Sequence, residues 1–190
     1  MIYKSWLTWM MLIYLLCSVI AKPAISNLPY YVPDNVKSII VCITTMCALG
    51  ITYMISKMGD KEASDKIRKY YLAVTGITLL IDILIVYSNS MLLRYIIDEV
   101  HDKMMGSVFG VMFMDARRKE AAKLNTDIGG MWRRMEFPKC VAITLGGLIA
   151  LYVYQVNVGL SIQNALYLKL FGGTCLDVAI VRVVLKKEGA

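Results

Sequence analysis

Met91–Met114, MLLRYIIDEVHDKMMGSVFGVMFM, decides the fold. Both ends are apolar, and Arg94, Asp98, Glu99, His101, Asp102 and Lys103 crowd its middle. Whether it crosses a bilayer sets the side on which everything after it lies.

The surrounding chain establishes that a bilayer is involved. Of the 190 residues, 58% are hydrophobic and 18% charged, which is too apolar for an ordinary soluble domain of this size. Ser38–Ser56 has no charge over nineteen residues, close to 30 Å of helix and the thickness of a hydrocarbon core. Cys140–Val158 is likewise uncharged, and Tyr70–Ser88 carries only Asp82. Trp6–Ala21 follows Lys4 and fits a secretory signal peptide as well as a span; it is read as an uncleaved first span or signal anchor. Ala165–Val184 is long enough to cross but contains Lys169, Asp177 and Arg182. Lys22–Val36, with Pro23, Pro29 and Pro33, reads as an extended loop.

The net charge of +7 is unevenly placed. Five of 21 cations lie in Lys57–Lys69 and seven in Arg117–Lys139, both beside apolar segments. Such clusters mark cytoplasmic loops under the positive-inside rule, which explains the charge without nucleic acid. With Lys4 inside, Lys57–Lys69 is cytoplasmic after two crossings. Residues 115–139 join it only if Met91–Met114 crosses too. Parity therefore predicts an all-α, polytopic transmembrane bundle of about six spans (four at the least), forming one integral membrane domain. The spans fall near 6–21, 38–56, 70–88, 91–114, 140–158 and 165–184, with cytoplasmic loops at 57–69 and 115–139 and both termini cytoplasmic. Within the loop 115–139, Gly129-Gly130 and Pro138 read as breaks.

Crossing has a cost. Each Asp, Lys or Arg near a helix centre opposes insertion by roughly 2.5–3.5 kcal/mol. At about 100° per residue, Arg94, Asp98, His101 and Asp102 share one face. The segment can insert as a hairpin with Tyr70–Ser88, polar face inward, with i,i+4 pairs Arg94–Asp98 and Glu99–Lys103 partly neutralising it.

Two groups of candidate residues follow. Asp82, Asp98, His101 and Asp102 have the chemistry of an ion or proton path, set against a plain salt-bridged seam between helices. A metal site is not expected, because the second Glu-x-x-His of a di-metal bundle is missing. Arg117, Arg118, Trp132, Arg133 and Arg134 suit contact with lipid head groups or a partner's acidic surface. Gly146-Gly147 would let a neighbouring helix approach closely. The five cysteines form no CxxC and read as packing residues. No Walker loop, nucleophile elbow, His-Glu-x-x-His or haem-attachment motif occurs, so the sequence points away from an enzyme and implies no cofactor. The function expected is a non-catalytic integral membrane subunit of a respiratory, secretion or transport assembly, its partners being other membrane subunits and the bilayer. The alternative is a small ion, proton or solute transporter using Asp82 and the Asp98–Asp102 cluster.

Overall fold

The computed structural model describes residues 5–56, 69, 71–73, 75–76, 79–80, 83–85, 87–155 and 161–185. The described chain is all-helical. Its long elements are α1 (Trp6–Ile25), α2 (Asp34–Ser56), α3 (Met91–Lys123), α4 (Ile128–Gln155) and α5 (Ile162–Leu185), with one turn of 3₁₀ helix at Leu28–Tyr31. Among the described residues, three stretches are long and apolar enough to cross a membrane: Trp6–Tyr31, Asp34–Met54 and Ile128–Gln155. They coincide with three of the six expected spans. Of the others, 70–88 is described at only twelve of its nineteen positions, while α3 and α5 have the length but carry the charges noted above.

The chain forms two compact units. One contains residues 1–26 and 114–190, the other residues 27–113.

In the first unit α1 packs against both α4 and α5. Ser5 caps it, its Oγ accepting a bond from the Thr8 amide at 3.2 Å. The helix runs through Pro23, so the loop expected to begin at Lys22 begins instead at Ser26, whose amide closes on the Lys22 carbonyl at 2.9 Å. Pro23 lies two residues from the helix end, where its missing N–H removes the bond to the Val19 carbonyl without ending the helix.

The direction of each neighbour can be read from paired residues. Trp6 lies by Arg182, Cys17 by Gly172, and Ala24 by Ala165, so residue numbers fall on α5 as they rise on α1. The two helices are antiparallel. Thr8 meets Met135, Val19 meets Gly146, and Ala24 packs near Tyr154, so α1 and α4 run parallel. Both interfaces are built on small residues. A Cβ on Gly172 would sit 2.8 Å from Cys17 Cβ and 3.3 Å from Tyr14 Cα. One on Gly146 would sit 3.1 Å from Val19 Cβ, and Gly146 is flanked at four-residue spacing by buried Ala142 and Ala150. Such residues let the helix backbones approach closely along their length.

Residues 115–139 are not the loop that was expected. α3 continues to Lys123 and α4 starts at Ile128, leaving a turn of four residues, 124–127. Asn125 adopts a left-handed φ of 49°, with Thr126 N bonded to Ala121 O at 3.0 Å and Asn125 N to Ala122 O at 3.1 Å. This is a Schellman closure with asparagine in the glycine position. Asp127 then caps α4 by accepting from Gly130 N at 2.9 Å. Gly129 and Gly130 do not break the helix: they lie in its first turn, where a Cβ on Gly130 would collide with the Asp127 carboxylate. Pro138 likewise lies inside α4.

In the second unit Leu28, Val32, Ile51, Tyr71, Ile85 and Met112 are buried, whereas most of α2 faces outward, with Ile39, Ile43, Met46, Leu49 and Tyr53 exposed. α3 begins inside-out: Arg94 is 6% exposed while neighbouring Leu92 and Leu93 are 41% and 46% exposed. That is the polar-inward, leucine-outward arrangement a charged helix needs in lipid. Tyr95 and one side of α2 enclose an open cleft of about 640 Å³ that includes Lys37 and Thr45.

Candidate functional site: a cationic end of the first unit

The first unit gathers cations and tryptophans at one end. The paired residues above bring together the start of α1, the start of α4 and the end of α5, and the 124–127 turn with the Arg117–Trp132 and Lys119–Val184 contacts adds the C-terminal turns of α3. Ala116, Arg117, Glu120 and Ala121 of α3 are buried there with Leu7, Met131, Met135, Ile180 and Val184.

Arg117 is the most unusual member, at 1% exposure. Its guanidinium carbon stands 3.5 Å from the centroid of the Trp132 ring, a desolvated cation–π contact. Burial lowers the Arg117 pKa from its ordinary value, and the nearby Glu136 carboxylate acts in the opposite direction. Lys139 approaches the same ring at 5.8 Å and pairs with Glu136 at 3.3 Å. Lys119 donates to the Val184 carbonyl at 3.3 Å, placing a cation on the C-terminal, electronegative end of α5, and lies 3.9 Å from Asp115. Arg182 stands 5.7 Å over the Trp6 ring.

The candidates from sequence are thus divided. Arg118 and Arg133 are exposed, Trp132 is half-buried, and Arg117 is turned into the bundle; the Arg134 side chain lies outside the described residues. Asp98 is half-buried and Asp102 exposed on α3, and both are engaged with neighbouring groups. Asp82 and the His101 side chain lie outside the described residues, so the proposed ion path is described only at its two α3 carboxylates. Among the described residues no three His, Cys, Asp or Glu side chains are grouped to hold a metal. Sequence reasoning missed Lys119, Glu120 and the Trp6–Arg182 pair. The last requires knowing that α1 and α5 are antiparallel neighbours, which no local spacing encodes.

The chemistry of this end is adhesive: cations held by rings, by helix ends and by carboxylates, with further arginines exposed around them. No family model, curated protein or solved structure matches the chain.

Proposed function

We propose that the protein is a non-catalytic, multi-pass subunit of a larger membrane assembly, of the respiratory, secretion or transport kind. The observation that carries this is the openness of its apolar helices. Only 11% of the apolar window in Asp34–Met54 is buried within the chain, and the same holds for Ile128–Gln155. A helix with so little intramolecular contact has most of its circumference to offer to lipid and to other subunits.

The six-span arrangement is part of this proposal. The start of α1, the α3–α4 turn and the end of α5 share one cationic end, as expected if all three face the cytoplasm. The inward Arg94 supports a crossing by the first part of α3, whose polar face is then met by neighbouring helices.

A photoreactive residue placed in turn at Ile39, Ile43, Met46 and Leu49 tests the assembly directly. Adducts with one fixed polypeptide from a helical subset of these positions are expected. Lipid adducts alone at all four would reject the subunit reading.

A further inference from the structure

Between α1 and α4 lies an open apolar groove of about 390 Å³, lined by Trp9, Ile13 and Leu16 on one side and Phe137, Val141 and Leu145 on the other. Its volume lies in the roughly 300–1,000 Å³ range of clefts that hold ligands.

The groove's lining restricts its occupant. From Phe137 to Leu145 the helix advances about 12 Å. Every side chain lining that length is apolar, which suits a hydrocarbon chain laid lengthwise.

Charge at one rim restricts the occupant further. One helical turn from Phe137, toward the cationic end, stands Arg133, exposed. One turn from Trp9 stands Trp6, 48% exposed, with Arg182 against its ring. Amphipathic tryptophans and exposed arginines at the mouth of an apolar groove match a lipid's own order, with phosphate outside and acyl chain within.

We propose that this groove holds one acyl chain of an acidic phospholipid, whose phosphate rests on Arg133 and Arg182 beside Trp6. The site rests on the membrane location of α1 and α4, and it stands whether or not the chain has protein partners.

The test uses the full chain in mild detergent, titrated in native mass spectrometry with phosphatidylglycerol and with phosphatidylcholine of identical acyl chains. Phosphatidylglycerol is expected to be retained preferentially, with about fivefold of that preference lost for each of Arg133→Gln and Arg182→Gln. Val141→Trp, at a 40% exposed groove position where the ring fills space without disturbing the core, should abolish retention of both lipids. Equal retention of the two lipids by the native chain, or retention unchanged by Val141→Trp, overturns the proposal. In intact membranes a photoreactive residue at Val141 should capture lipid; capture of a polypeptide overturns it. A protein that resists alkaline carbonate extraction yet gives no lipid adduct rejects the lipid site alone. Release by carbonate rejects the membrane location beneath it.

Discussion

Gly172→Ala, compared with Gly173→Ala, isolates the contact that holds α1 to α5. The two glycines are neighbours in one helix and differ in what a methyl group would meet. At Gly173 it finds nothing within 4 Å. At Gly172 it would stand 2.8 Å from Cys17 Cβ, 3.3 Å from Tyr14 Cα and 3.5 Å from Cys17 Sγ. Tyr14 Cα is backbone and cannot rotate away, so the helices must separate by several tenths of an ångström. Both substitutions gain about 0.5–1 kcal/mol of helix propensity, so that gain cancels in the comparison. What remains is overpacking, about 1–3 kcal/mol, or about 5–150-fold in the unfolding equilibrium. Reversible unfolding in mixed micelles with increasing dodecyl sulfate, followed by helicity, measures that difference. Gly172→Ala should unfold at clearly lower detergent fraction than Gly173→Ala, which should match or exceed the native chain. Equal midpoints for the two variants would refute the α1–α5 packing. The pair Gly146→Ala and Gly147→Ala should repeat the pattern more weakly, since a Cβ on Gly146 meets Val19 at 3.1 Å and one on Gly147 meets nothing.

Other expectations follow from the cationic end and its turn. Trp132→Leu removes the ring beneath the buried Arg117 cation and should destabilise the first unit by about 2 kcal/mol in the same unfolding assay; a change below about 0.5 kcal/mol would mean that the ring contact contributes little. Asn125→Val forces a β-branched residue into the left-handed region and should cost about 1–2 kcal/mol, whereas Asn125→Gly should be neutral or better; equal stabilities would contradict the Schellman closure. Single cysteines at Arg118, Arg133 and Lys61 should react with an impermeant thiol reagent from the same membrane side, and labelling of Lys61 from the opposite side would remove the six-span arrangement. Asp98→Asn should leave the protein folded and its partners bound; loss of an ion flux in proteoliposomes would favour the transporter alternative.

Much of the fold was legible because lipid imposes simple rules. Uncharged runs of nineteen residues could only be helices buried in protein or bilayer, and three of the six expected spans coincide with helices apolar enough to cross. Gly146-Gly147 was readable as a close-approach site, but which glycine makes it depends on helical phase against α1. The turn at 124–127 was not legible because Gly129-Gly130 is the stronger breaker signal, whereas the backbone of Asn125 and the side chain of Asp127 end one helix and start the next. Pro23 and Pro138 were read as breaks, yet both lie inside helices, since a proline removes one intrahelical bond and can kink a helix without ending it. The cationic cluster was legible as a local gathering of charge in 117–139. That Arg117 lies buried against Trp132 was not, because the charge count is the same whether a guanidinium faces water or a ring.

The proposal of a subunit is tested most directly by the mass at which the full chain migrates when solubilised from its native membrane in a mild detergent. A chain of 21.4 kDa that belongs to an assembly should run in a discrete complex several times heavier, with the same co-migrating polypeptides in every preparation. A stable species at the mass of one chain in its micelle, with no fixed companions, would contradict it.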